Sequence, residues 1–418
     1  MGDGEIADAC GSGHLRARVL PLAVLAIFLS YVDRGLLPVA GPAISDNFNL
    51  TATQFGLAVS AFFWVYAPFQ YVSGWLVDRT HVYRHYAQGL ALWAAATAAI
   101  AFTTGLGGLI AARLAKGLGQ AVTFPGVSKL ILRHGAPERR ARWNGNVIAA
   151  IALGQALSAL AGGLLIAAYG WRAAFLLAGA ITLLWLLPWQ RATAGLGHAA
   201  DPAHPQPQVP YSAILRKPAL WSAAAGHFST NYVLYFVIAW LPLFLVRERG
   251  LSTADMAFLA GGIFFAQALG ALAAGHIADR IVPDGGHESR IRKTMMVVIY
   301  LTCALGLGVA GTAKSLPLVA AALVGAAAAL GAGGALIYTI SQRFSGPVAA
   351  GRWVGVQNGT ANISGIVGPI VTGITVDATG SYTAAFLLAA VFAVLAAGFW
   401  SVTLPKIAPI DWGAPIRR

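Results

Sequence analysis

Long apolar runs separated by short polar breaks recur from Val19 to Leu404, each close to the roughly 20 residues that an α-helix needs to cross a bilayer. The pattern predicts about twelve helices, starting near Val19, Ala52, Ala87, Gly107, Trp143, Trp171, Pro218, Thr253, Thr294, Leu316, Ala350 and Tyr382. Gly and Pro fall inside several of them, which suits bent helices rather than a barrel. The expected fold class is all-α and membrane-integral.

The longest polar, proline-rich stretch, about residues 191–217, contains Pro202, Pro205, Pro207 and Pro210 and divides the helices six and six. It predicts a flexible cytoplasmic linker. The resulting plan is an N-terminal segment over 1–18, a six-helix bundle over 19–190, the linker over 191–217, a second bundle over 218–404 and a tail over 405–418. The two bundles echo one another. Gly74, Asp78 and Arg79 after the second span match Gly275, Asp279 and Arg280 after the eighth. Arg142-Trp143 opens the fifth span and Arg352-Trp353 the eleventh, and an Ala-Ala-Phe-Leu-Leu-Ala run recurs at Phe175 and Phe386. Two repeated six-helix halves imply a transporter that rocks about a site near the bilayer midplane.

Composition agrees with this picture: 57% of the 418 residues are hydrophobic and 10% charged, against about 25% charged in soluble proteins. The net charge of +13 suggests nucleic acid only if its placement is ignored. Outside the spans, Lys and Arg concentrate in the termini and alternate loops, as at Arg133, Arg139, Arg140 and Arg142 or Arg290, Arg292 and Lys293. That is the positive-inside pattern, and it puts both termini in the cytoplasm. Cys10 and Cys303 alone make no disulfide framework. Asp3, Glu5 and Asp8 do not suit the basic start of a cleaved signal peptide, so the first span is expected to remain. No Walker A sequence, nucleophile–base set or metal-ligand cluster is visible, so neither an enzyme nor a cofactor is expected.

The candidate chemistry begins with Asp33 and Arg34, adjacent within the first span. An ionisable residue at the bilayer centre costs about 2.5–3.5 kcal/mol on insertion scales, so each needs a partner or an internal polar cavity. Arg34 offers a planar fork that matches a carboxylate, with the Tyr31 hydroxyl nearly on the same face; the alternative is a structural ion pair. Asp33 is either a proton-coupling carboxylate or fixed to Arg113 or Lys116. Arg113, Lys116 and Gln120 share one face of the fourth span. Arg113 either neutralises Asp33 or serves a structural hydrogen bond, and Lys116 has the option of snorkelling to the external surface. Tyr66, Gln155, Asn231, Tyr235, Asn358 and Asn362 are neutral polar groups at membrane depth, suited to substrate hydroxyls or to ordinary interhelical bonds. His227 and His276 are expected to pack or face loops.

The chain resembles the major facilitator superfamily over nearly its whole length, through the Gly-x-x-x-Asp-Arg loops and through Arg113 to Gln120. Within it the chain is most similar to the anion:cation symporters, the group of sialin and bacterial sugar-acid and phthalate permeases. Tyr31, Asp33, Arg34, Gln54, Phe62, Tyr66, Phe124-Pro125, Trp240, Asn358, Asn362 and Pro369 carry that likeness. The resemblance implies a twelve-helix fold and a cytoplasmic gate at Gly74, Asp78, Arg79, Gly275, Asp279 and Arg280. It also implies proton coupling through Asp33 and Arg113. Two departures matter. The family usually carries an Asn two residues after the Arg of the first helix, where this chain reads Gly35-Leu36-Leu37, and a Glu where it has Gln120. Gln120 is expected to bond a substrate hydroxyl or to stand in geometrically for that Glu. The expected function is proton-coupled import of a small organic anion, such as a sugar acid, by a monomeric multi-pass protein of the inner membrane. An uncoupled facilitator or an efflux antiporter is the alternative.

Overall fold

Each predicted apolar run is a helix in the computed structural model, which describes residues 3–79, 81–135, 140–196, 209–281 and 287–412. Among these residues there is no strand. The helices are α1 (Asp3–Val39), α2 (Gly41–Phe48), α3 (Ala52–Arg79), α4 (Val82–Ile100), α5 (Leu106–Gln120), α6 (Thr123–His134), α7 (Arg140–Leu157), α8 (Gly163–Leu184), α9 (Leu186–Thr193), α10 (Tyr211–Leu215), α11 (Pro218–Leu243), α12 (Thr253–Ile281), α13 (Glu288–Thr312), α14 (Leu316–Asn362), α15 (Ser364–Thr379) and α16 (Tyr382–Gly398). Eight described stretches are long and apolar enough to cross a membrane. Two helices are bent around glycines in the left-handed region, Gly170 at φ 80° in α8 and Gly346 at φ 58° in α14. A side chain is strained there, so glycine lets two rods meet without a loop.

The helices differ from the expected spans in several places. The first begins at Asp3, not Val19, and the fourth span breaks at Ala121 and Val122 into α5 and α6. Helices α8 and α14 run on through their bent glycines past the starts expected at Trp171 and Ala350, and the eleventh span breaks at Ile363 into α14 and α15. Part of the proline-rich linker, residues 197–208 with Pro202, Pro205 and Pro207, lies outside the described residues.

The chain forms two compact units. One holds residues up to 202, except 51–56, together with 252–261; the other holds 51–56, 203–251 and 262–418. In the first unit, aromatic side chains of α4 and of the α8–α9 junction pack into a core with α1, α6 and α7. Trp185 and Trp189 stack at 4.9 Å, and Tyr86 lies 5.1 Å from Trp189. Glycines bring backbones together where lipid gives no hydrophobic drive for association. A Cβ on Gly119 would meet Gly89 O and Trp93 N, each at 2.6 Å, and one on Gly154 would meet Phe28 O at 2.7 Å. These contacts hold α5 against α4 and α7 against α1. In the second unit Trp353 stacks on Phe344 at 5.9 Å, and Trp400 is fully buried.

Candidate functional site

In α1, Asp33 reaches side chains of α4 and α5, and the Ser30 carbonyl and the neighbouring Arg34 reach Gln120 of α5. The Asp33 carboxylate is 2% exposed and Lys116 is 0% exposed. Lys116 Nζ lies 2.9 Å from Asp33 Oδ2 and donates to the Asp33 main-chain carbonyl at 3.0 Å. Lys116 therefore sits in the interior and does not snorkel outward. Two neutral donors on one face of α4 complete the shell: Trp93 Nε1 donates to Asp33 Oδ2, and Thr97 Oγ1 does so at 2.9 Å. Buried charges persist in low dielectric only when paired and hydrogen-bonded, and Oδ2 meets both conditions.

Arg34 is half-buried and turns to another set of partners. Its Nε donates to Gln120 Oε1 at 2.8 Å. Its guanidinium carbon lies 4.3 Å from the Tyr66 ring centroid, 4.7 Å from Phe62 and 4.9 Å from Tyr31. Such rings orient a planar cation through their negative faces without neutralising it. The Gln120 amide reaches Ser30 O and Asp33 Oδ2, both at 3.5 Å, so one uncharged side chain touches both charges.

Of its two expected places, Arg113 takes the hydrogen-bonded one. Its Nε and Nη2 donate to the carbonyls of Ala58 and Val59 at 3.2 and 2.7 Å, and its guanidinium rests 5.1 Å from the Phe62 ring centre. The ion pair with Asp33 belongs to Lys116. Arg113 nonetheless shares the Phe62 ring with Arg34 and acts on the pair through its charge. Gln155, on α7, is half-buried and makes no side-chain hydrogen bond among the described residues.

The second unit carries its own polar face. His227, Asn231 and Tyr235 follow at four-residue spacing on α11, which places them along one side. Tyr235 donates to Asn362 Oδ1 at 2.7 Å, and Asn362 Nδ2 donates to Asn358 O at 3.0 Å. Two of the expected neutral residues thus bond to each other. Trp353 Nε1 donates to Gln357 Oε1 at 3.0 Å, so the Gln357 amide nitrogen faces His227 Nδ1 at 3.4 Å. An indole is a donor only, and it fixes this orientation. His227 is packed, with Tyr338 edge-on at 5.7 Å, as expected. Of the gate residues, Gly74, Asp78 and Arg79 fall in α3 and Gly275 and Asp279 in α12, but their side chains lie outside the described ones; Arg280 is exposed.

Reasoning from sequence missed Trp93, Thr97 and Gln357. The visible hint was the four-residue spacing of Trp93 and Thr97 on an otherwise apolar helix.

Comparison with known proteins adds a family. Residues 23–285 match the family model described as Major Facilitator Superfamily. The hexuronate transporter of Bacillus subtilis is 29% identical over 395 residues, covering 90% of this chain and 93% of that one. The probable sulfoacetate transporter of Cupriavidus necator is 26% identical over 404 residues, covering 89% and 90%. The D-galactonate transporter of Escherichia coli O6:H1 is 26% identical over 403 residues, covering 90% and 91%. A solved structure of a bacterial homologue of the human lysosomal transporter Spinster is 20% identical, with a TM-score of 0.78 over 92% of this chain and 96% of that one. That likeness concerns the fold.

Proposed function

Because this chain belongs to the Major Facilitator Superfamily, a group of multi-pass membrane transporters and not enzymes, we propose that it imports a small organic anion, a sugar acid or other monocarboxylate, together with a proton. Arg34 carries the proposal. Its guanidinium is stacked among Tyr31, Phe62 and Tyr66 and tied at Nε by Gln120. Held this way, the cation is rigid, and its planar fork has the geometry that suits a carboxylate. The relatives named for hexuronate, D-galactonate and sulfoacetate support the substrate class. Asp33 takes the proton on one side of the membrane and gives it up on the other. Asn231, Tyr235, Asn358 and Asn362 provide hydroxyl-binding groups, and Gln155 and Tyr66 add to them.

A second reading, an uncoupled facilitator or an efflux antiporter, is favoured by one observation: Asp33 is tied to Lys116, and Gln120, which stands where the family carries a Glu, cannot titrate. Uptake of labelled D-glucuronate and D-galactonate into proteoliposomes separates the two. Accumulation driven by an inward proton gradient and abolished by Asp33→Asn is expected. Uptake that stops at equilibrium and survives Asp33→Asn would establish the uncoupled carrier instead.

A further inference from the structure

The two oxygens of Asp33 have different surroundings. Oδ2 collects every donor in reach: Trp93, Thr97 at 2.9 Å, Lys116 at 2.9 Å and the Gln120 amide at 3.5 Å. Oδ1 is buried and has no hydrogen-bond partner. An un-ionised carboxyl with its proton on Oδ1 still accepts from Trp93, Thr97 and Gln120 on Oδ2. Only the Lys116 ammonium depends on the carboxylate's charge. Lys116 is anchored independently by the Asp33 main-chain carbonyl at 3.0 Å, so it stays in place when that charge is lost.

We propose that Lys116 is a tethered counter-ion that exchanges with the transported proton. A proton arriving on Asp33 Oδ1 uncovers the ammonium's charge, and that charge draws the substrate anion toward Arg34. This inference rests on the proton-coupled reading above and names the residue that links the two ligands.

The balance is simple. With Asp33 ionised, the cluster holds three cations, Arg34, Arg113 and Lys116, and one carboxylate. The proton comes from water on one side, forms one O–H bond at Oδ1, and returns to water on the other. It raises the cluster's charge by one, and a bound monoanion restores it. A buried ammonium without a counter-charge is costly, so proton and anion each favour the binding of the other. The charged and polar groups acting on the pair are Arg34 from α1, the neutral Trp93 and Thr97 from α4, and Arg113 and the neutral Gln120 from α5, while the Tyr31 and Tyr66 rings lie on Arg34. Asp33 is the one carboxylate acting on Lys116 among the described residues.

Infrared titration of the purified full chain tests this without any substrate. The protonated-carboxyl stretch that Asp33→Asn removes should fade as pH rises in the unmodified chain. In Lys116→Gln, which keeps a donor but not the charge, it should persist to higher pH. Lys116→Arg should restore the unmodified behaviour, and Lys116→Met replaces Lys116→Gln if the latter does not fold. Fading over the same pH range with and without the charge overturns the proposal, as does a stretch absent at every pH. In proteoliposomes, Lys116→Gln should exchange D-glucuronate across the membrane but fail to accumulate it under a proton gradient. Gradient-driven accumulation equal to that of the unmodified chain also overturns it. If no form moves D-glucuronate or D-galactonate, the carrier reading fails, while the infrared result still decides the role of Lys116.

Discussion

Arg34 Nε donates to Gln120 Oε1 at 2.8 Å, and that bond decides how the Gln120 amide points. With its oxygen held by the guanidinium, its nitrogen must face Ser30 O and Asp33 Oδ2. A glutamine accepts from the cation and donates to the anion at once. A glutamate reproduces this only when protonated.

Gln120→Glu is therefore expected to create a second proton site. Two carboxylates this close cannot both ionise readily, so they share a proton. The pH dependence of D-glucuronate binding should steepen from one proton toward two, with anion binding weakened at high pH. Binding measured across pH on the purified carrier checks this, and an unchanged slope would show that position 120 does not communicate with Asp33.

Arg34 is expected to tolerate no replacement. Lysine lacks the planar fork that stacks on Tyr66 and Phe62 and that presents paired donors to a carboxylate. Both Arg34→Ala and Arg34→Lys should weaken anion binding by about tenfold or more, the approximate equivalent of one charge-assisted hydrogen bond. The check is loss of D-glucuronate-dependent thermal stabilisation with the unliganded melting temperature retained.

Gly119→Ala is expected to lower stability and transport together. The added Cβ would meet Gly89 O, Trp93 N and Trp93 Cβ, the last at 2.9 Å. Overpacking of this kind costs about 1–3 kcal/mol, and it moves the tryptophan whose indole holds Asp33 Oδ2. Gly308→Ala, where nothing lies within 4 Å, should leave the melting temperature in detergent unchanged and serves as the comparison.

Trp353→Phe should keep the stack on Phe344 but lose the donor to Gln357 Oε1. A buried acceptor deprived of a partner costs about 1–3 kcal/mol. Ser341 still reaches the same oxygen at 2.7 Å, so the lower end is expected. A reduced melting temperature with D-glucuronate affinity preserved would place this network in the packing of the second unit and not in ligand binding.

The helical plan was legible because membrane spans are written in long apolar runs, and their ends in the polar breaks. The left-handed glycines at Gly170 and Gly346 let α8 and α14 continue through two rods, which hydropathy alone does not show. Asp33 and Arg34 were equally legible, since a charge at membrane depth stands out in any apolar run. Their partners were not. Trp93 and Thr97 look like ordinary helix packing until α4 is laid against α1.

Sequence by itself determined the all-helical class and the two charged residues around which the candidate site is built, and it predicts two six-helix sets and cytoplasmic termini. Those properties depend on composition and on spacing along one helix. Tertiary structure decided which cation pairs with Asp33. Arg113 and Lys116 lie three residues apart on the same face of α5 and compete on equal terms in the sequence. Packing separates them: α3 offers the carbonyls of Ala58 and Val59 to Arg113, and α1 offers the carboxylate and main-chain carbonyl of Asp33 to Lys116. Which charge neutralises which is set by the acceptors that neighbouring helices bring to each side chain, and these are in place only once the helices have packed.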